Sequence, residues 1–586
     1  MSLYLGEDKI EGVRVDGGVK NGVSYNPQTP TMSEQKQARD NIDTFGKKDI
    51  AEAIDQIYHS MVIRVKSVDE VNNIFVSWWK SRWTENTTKQ SMVEEWFGKV
   101  LYDDRVHGVK LPLFSTSTSY KGELTDDSAG LVCETSTASK AGRDDFAFLP
   151  QFWTLEVAAL KNEDGTHEFV AVEHIDPIEE VRNSSQKALT WVLQKNTYRG
   201  EGIEDGYYWL KTRCTPVAGY YTWSGGTDKN GRVYSYMGYP KYGCGVYDDG
   251  SFGCASGLKP ALWNTQVNSV IQWRKRGTQY AGATSNILKW QMDMIELKYA
   301  VKGNSYTISG CGYYYDSVPA AVSEKGVTRI LLAEGQGDYF LIGSTVNIDN
   351  AKNERSNSSP VVLKNIAKKE TVVIGDVSYD AIYLDMGGAT FDTVAGTSHI
   401  TTMPYFSGYN DDVQGYDGSK TAPTSGKEPG LIQRTEFMNG AYTIVADELW
   451  KWGTNEAGDY TLDVYICNDA SKITTNGSIS GDYVKQEGLT MTFPSTQVAE
   501  WQYIENLALS KSGKVVWPSK ISKSASSSTG VTDGFYLGPS TNAVRAAWRC
   551  GCLDYGGAAG LACGRSDGSV WRSYWGAAPG SSGLTG

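Results

Sequence analysis

The stretch RAAWRCGCLDYGGAAGLACGRSDGSVWRSYWGAAPG (545–580) sets glycine and alanine between tryptophan, tyrosine and arginine. So much glycine opposes a helix, and so many aromatics are out of place in a disordered tail. The segment predicts short strands and turns, in a backbone that can approach its neighbours closely because many positions lack a large side chain. The same character runs through the chain. With 63 glycines, 35 tyrosines and 18 tryptophans in 586 residues, strands, turns and aromatic surface are favoured over a helical scaffold. A hydrophobic content of 40% is enough for a buried core.

The organisation follows from shifts in pattern. Residues 1–30 read as a small strand–turn segment. Thr31 and Glu34 form a capping box, and Ala38, Ile42 and Phe45 then share a helical face. A second helix is predicted at Asp49–Met61 from Ile50, Ile54 and Ile57. Residues 63–104 carry Trp78, Trp79, Trp83 and Trp96 among charges, and predict helices at about 67–80 and 88–98 in a connector or stalk. From 105 strand-like stretches alternate with turns. A helix follows in which Leu288, Met292, Ile295 and Tyr299 share a face and Ser285 serves as N-cap; another is predicted over 264–277, with Val267, Val270 and Ile271 inward. Residues 306–400 are of β type. Residues 401–586 are again rich in aromatics and turns, with an exposed loop at 519–530.

Several function classes are disfavoured. The net charge is −12 and no basic block stands out, so no nucleic-acid partner is expected. No apolar run reaches the roughly 18 residues of a membrane span, so no membrane insertion is expected. The opening MSLYLGEDKIEG lacks a signal-peptide pattern, which predicts synthesis in a cytoplasm without a simple secretory route. Nine cysteines, at 133, 214, 244, 254, 311, 467, 550, 552 and 563, are scattered and odd in number, unlike a disulfide framework. Cys550 and Cys552 are the one near pair, with no histidine beside them, and no metal site is expected there. The histidines are far apart; His167 and His174 flank a strand-like EFVAV and read as a surface pair. Without a zinc-protease, P-loop, nucleophile-elbow or EF-hand motif, no enzyme is expected, although a carboxylate pair of glycosidase type is an alternative. Trp153 and Trp290 read as core. Trp571, Tyr574 and Trp575 read equally as core or as a recognition face.

Two stretches resemble tailed-phage proteins. MSEQKQARDNID (Met32–Asp43) is similar to the short LTEAQKAQARANI helix near the N-termini of many phage fibre and spike proteins, close to the part that holds the protein on the virion. Residues 105–586 resemble phage receptor-binding proteins with a C-type-lectin-like domain, the class that includes retroelement-diversified tropism determinants. The elements in order are VHGVKL (Val106–Leu111) followed by GELTDDSAGL, DDFAFLPQFW (Asp144–Trp153) with two extra residues before its Trp, MIELKYAVKGNS (Met294–Ser305), YFLIGSTVNI (Tyr339–Ile348), and RTEFMNGAY (Arg434–Tyr442), which keeps Glu436 and Gly440 but loses an Asn. The ending follows the family frame at Arg545, Gly551, Gly556 or Gly557, and Ala559–Gly560, and departs where the usual GxR becomes GAAPGSSGLTG.

The resemblance implies an α+β protein: a short N-terminal strand/helix virion-attachment region (1–62), a helical connector (63–104), and a large C-type-lectin-like domain in two parts (105–305 and 401–586) around a β-rich insertion (306–400). The outward positions of the terminal loop would be Cys550, Cys552, Leu553, Tyr555, Ala558, Cys563, Arg565, Ser566, Val570, Arg572 and Tyr574, with Trp571 beside them as ligand-binding residues; the alternative is that the three cysteines are small buried hydrophobes. The function implied is a receptor-binding tail fibre or spike, on the virion after assembly in the host cytoplasm. Its partners would be other virion proteins, a host surface glycan or protein, and copies of itself in a homotrimer. Alternatives are a structural head fibre, collar appendage or decoration protein, and an enzyme, either a polysaccharide depolymerase or a relative of the formylglycine-generating enzymes. The calcium-lectin signature is absent, and WNT at Trp263–Thr265 does not replace it, so neither metal nor cofactor is expected.

Overall fold

The computed structural model describes residues 47–586 apart from 163–166, 180–187, 229, 511–512, 582–583 and 586, together with the pairs Tyr4–Leu5 and Asp8–Lys9. The helix predicted from Thr31 to Phe45, and with it the phage-like MSEQKQARDNID segment, lies outside the described residues. The chain divides into Met1–Ile57 and Tyr58–Gly586. In the first unit Tyr4–Leu5 pairs antiparallel with Asp8–Lys9, and a helix begins at Lys47 that runs to Val62.

The second unit is α+β and mostly strand. The helix Val68–Arg82 is capped by Ser67, whose hydroxyl accepts from Glu70 N–H, and ends where Trp83 turns extended. The helix Lys89–Glu95 continues as one wide turn over Trp96–Val100. These helices are not a free stalk. Phe75, Trp78 and Trp96 are fully buried around Trp153, with ring centroids 5.1–5.9 Å apart for the pairs Phe75–Trp96, Trp96–Trp153 and Phe75–Trp153. Trp153 Nε1 also donates to Asn72 Oδ1 at 3.0 Å. Burying four such rings outweighs what an extended connector could gain from solvation.

Two five-stranded sheets follow, ordered Tyr221–Thr222, Tyr198–Glu204, Tyr207–Arg213, His107–Pro112, Glu123–Asp126, and Leu584–Thr585, Tyr236–Pro240, Leu189–Lys195, Thr154–Lys161, His167–Val172. The helix Ser285–Tyr299 is buried on almost every side. Sequence periodicity gave it one apolar face, yet its polar positions are buried too, because distant ion partners meet them. Lys289 pairs with Asp293 on the next turn, and Arg199 reaches Asp293 at 3.2 Å. Lys298 sits between Asp144 (2.8 Å) and Asp417 (2.6 Å). Ser285 is its first residue and not its cap; Thr284 holds that position, and the Ser285 N–H and hydroxyl donate to Asp447 at 2.8 and 3.1 Å. The helix predicted over 264–277 is present as Gln266–Arg274, with Val267 and Val270 buried but Ile271 outward.

The β-rich insertion forms a six-stranded sheet from Ser317–Pro319 to Arg329–Ala333, in which Val361–Ile374 and Val377–Leu384 are a long hairpin. It has its own core, including Ile330, Phe340, Val346, Ile366, Ile382 and Ile400. The C-terminal part builds a ten-stranded curled sheet. Its centre runs Tyr460–Cys467, Tyr442–Thr454, Ala543–Cys550, Gly560–Arg565, Gly534–Leu537, Glu500–Leu507. Among the described residues no helix is long and apolar enough to cross a membrane.

Buried carboxyls give this core an unusual pH response. Burial pushes Asp447 up to about 8 and Asp533 up to about 7, far above an exposed aspartate. The folded state then keeps protons that the unfolded chain has released, so stability falls as pH rises through this window. Burial also holds His107 and His167 down to about 4, so their contribution is lost as pH falls from 6.5 toward 4. From pH 6.5 to about 7.5 the carboxyl arm dominates, at up to about 1.4 kcal/mol per pH unit for each group, and toward pH 8 and above Lys161 and Lys302, which burial holds down to about 8, act in the opposite sense. Asp447→Asn is expected to flatten that arm: in thermal denaturation the variant melts above the wild type at pH 9 and no higher than it at pH 5.

Candidate functional site

The Gly-rich terminal stretch is laced into the large sheet. Ala543–Cys550 pairs antiparallel with Tyr442–Thr454 on one side and Gly560–Arg565 on the other, and Ala577–Pro579 returns parallel to Tyr442–Ile444. Between the strands Cys550 (φ 75°) and Gly551 (φ 79°) turn the chain through the left-handed region.

Most of the positions expected to point outward point inward. Cys550, Cys552, Leu553, Cys563 and Ser566 are fully buried, and Ala558 and Val570 nearly so. The loop is covered by other segments: Leu553 N–H donates to Gly440 O (3.0 Å), Tyr314 N–H donates to Leu553 O (3.0 Å), and Gly556 N–H donates to Gly312 O (2.6 Å). Leu553 packs with Cys311, Tyr314 and Tyr405, while Cys552, Cys563 and Val570 join Tyr442 and Trp548. Ser566 is structural, accepting from Gly538 N–H at 3.1 Å and donating to Tyr536 O at 2.9 Å. Glycines let the loop sink into the fold instead of presenting its neighbours: Gly440, at φ 99°, has Leu553 and Pro404 at 3.3 Å from where a Cβ would stand.

What does reach the surface is a compact aromatic–arginine face. Trp571, next to Arg572 in the chain, is 59% exposed, and Tyr555, Arg565, Arg572 and Tyr574 are half-buried. Arg565 donates to both Asp567 oxygens, at 2.6 and 2.9 Å, and to the Tyr555 hydroxyl. Its guanidinium lies over Tyr536 at 5.0 Å. Arg572 donates to Asp567 at 3.2 Å and lies over Trp548 (5.4 Å) and Tyr574 (5.8 Å), which stack at 11°. Trp501 closes the row against Tyr536 and Tyr555. Burial raises Asp567, but the hydrogen bonds and charges of Arg565 and Arg572 outweigh it and hold the carboxyl below its usual range. Two guanidiniums thus share one carboxylate between flat rings, with the exposed Asp554 carboxylate close to Tyr555 and Tyr574.

Sequence reasoning missed Asp567, Trp501 and Tyr536. Asp567 lies in the turn just after the strand Gly560–Arg565, two residues on from the arginine that it binds. Trp501 and Tyr536 sit on other strands and meet Arg565 through the pairings Trp501↔Tyr536 and Tyr536↔Arg565.

The cysteines lack thiolate character. Burial pushes Cys550 up to about 12 and Cys552 and Cys563 well above the usual thiol range. A group of Cys133, Asp144 and Asp417 has ligand-like spacing, but the Lys298 ammonium occupies the position of a cation between the two carboxylates. His167 and His174 are not a surface pair: His167 is buried on the Tyr236 hydroxyl (2.7 Å), and His174 is exposed at a turn with φ 67°. No family model matches the chain, and no curated protein matches it.

Proposed function

We propose that this chain is a phage virion protein that recognises a host cell surface through a C-type-lectin-like domain, acting as a homotrimer held on the particle by its N-terminal region. The ordered motifs from Val106 to Gly560 support the family. The observation that carries the recognition role is the aromatic–arginine face at the end of the chain, with the exposed ring of Trp571 next to Arg572 in the chain. Flat rings and fixed guanidiniums give contact area at small entropic cost and suit sugar rings or protein side chains. Weak single sites on a trimer would gain by avidity.

The test is binding of labelled full-length protein to host cells, with unlabelled protein as competitor. Trp571→Ala is expected to weaken saturable binding about tenfold with the melting transition unchanged, because the ring is largely outside the core. Tyr574→Ala is a poorer probe, since Tyr574 stacks on buried Trp548 and its loss also costs stability. Undiminished binding by folded Trp571→Ala removes this face from the role. No binding to a host that the parent particle infects favours a head-fibre, collar or decoration protein.

A further inference from the structure

A small cleft, open to solvent at its mouth, lies between the strand His107–Pro112 and the strand Glu500–Leu507. Leu111, Pro112, Leu507 and Val531 are among its apolar walls, and Glu296 and Lys302 line it from the end of the central helix. None of these residues belongs to the aromatic face.

Its other polar groups are already engaged. The Tyr208 hydroxyl donates to Glu201 at 3.1 Å, and Asn506 Oδ1 accepts from Phe114 N–H at 2.8 Å. The two ionisable groups are not. The ammonium of Lys302, a residue 5% exposed, donates to Ser117 O at 3.1 Å, and among the described residues it has no other hydrogen-bond partner and no carboxylate within ion-pair range. Glu296, 2% exposed, has an Oε2 atom buried without a hydrogen-bond partner among the described residues. The charges around Glu296 close on each other. Arg199 pairs with Glu201 (3.0 Å) and Asp293 (3.2 Å), and Lys289 with Asp293, so none is committed to Glu296. A buried ammonium without a counter-ion and a buried carboxyl oxygen without a donor or acceptor are both costly unless something else meets them.

We propose that this cleft binds a small aliphatic monocarboxylate, with one carboxylate oxygen on Lys302 Nζ, the other accepting from the Glu296 carboxyl, and the chain against Leu111, Pro112, Leu507 and Val531. The protonation states fit. Burial raises Glu296 to about 8, with Asp293 and Glu201 adding to the effect against Lys289 and Arg199, so at neutral pH it carries a proton to donate. Burial lowers Lys302 to about 8, which leaves it mostly charged at neutral pH. A dicarboxylate would press its second charge on leucine and valine, and a phosphate dianion needs more donors than the two present.

The experiment is calorimetric titration of the full chain with sodium butyrate, its neutral isostere butyramide, and inorganic phosphate. Butyrate is expected to bind saturably at one site per chain at pH 7, at least about tenfold more tightly than butyramide or phosphate. At pH 9.5 Lys302 loses its charge and Glu296 its proton, and binding is lost. Lys302→Met is expected to weaken butyrate about tenfold or more, whereas Glu296→Gln, which keeps a donor, holds it within about threefold at pH 7. Butyramide binding as tightly as butyrate, butyrate binding that persists at pH 9.5, or no saturable binding at all would overturn the assignment. The ligand ratio and the pH arm need no variant, so both still decide the matter if Lys302→Met fails to fold.

Discussion

Replacing Arg549 with methionine is expected to destabilise the C-terminal sheet by about 3–5 kcal/mol, the range for stripping one partner from a buried ion pair. Arg549 and Glu448 are essentially without exposure, 0% and 1%, and the guanidinium Nη2 is bonded to Glu448 Oε1. The arginine lies over Trp450 at 4.7 Å and Trp517 at 5.6 Å, so it also packs two large rings. Methionine keeps much of that packing but, among the described residues, leaves Glu448 with the Trp450 Nε1 donor alone, at 2.6 Å. A buried carboxylate with one donor is far from compensated. Glu448→Gln together with Arg549→Met removes both charges, and the pair is expected to recover most of the loss. Denaturant unfolding followed by tryptophan fluorescence reads both variants. A double variant no more stable than Arg549→Met alone would place the cost in lost ring packing rather than in the stranded charge.

The sequence was most legible where periodicity is local. The helices at Lys47–Val62 and Ser285–Tyr299 stand where apolar spacing predicted them, although Ile50 of the first is exposed, and the β-type insertion forms strands with a core of their own. It was least legible where burial is decided at a distance. Lys289, Asp293 and Lys298 look like the solvated face of a helix until Arg199, Asp144 and Asp417 arrive from elsewhere in the chain. Cys550, Cys552 and Cys563 are small enough to sit on either side of a Gly-rich strand. Tyr442 and Trp548, which pack with Cys552 and Cys563, and the main core that takes in Cys550 decide the side. Most of the candidate face was visible as Tyr555, Arg565, Trp571, Arg572 and Tyr574. Trp501 and Tyr536 needed the strand order.

Gly560→Ala is expected to cost about 3 kcal/mol or more, although no unusual backbone angle demands glycine there. A Cβ at 560 would overlap the carboxyl group of Asp533, taking in both oxygens and the carbon between them. Asp533 has no exposure and cannot swing into solvent; its Oδ2 accepts from Ala562 N–H at 2.8 Å and so fixes the strand that carries Arg565. Moving it leaves a buried N–H unpaired and shifts the strand beneath the aromatic face. Gly481→Ala is the matched control: nothing lies within 4 Å of its Cβ position, and a change within about 0.5 kcal/mol is expected. Asp533→Ala removes the obstruction, so Gly560→Ala should cost less in that background than alone, by the coupling a double-mutant cycle measures. Equal costs in both backgrounds would mean that glycine at 560 answers to the backbone and not to the carboxyl. A positive coupling would make Ala559–Gly560 a packing requirement set by one buried acid, holding the strand in place while the residues around Trp571 are free to change.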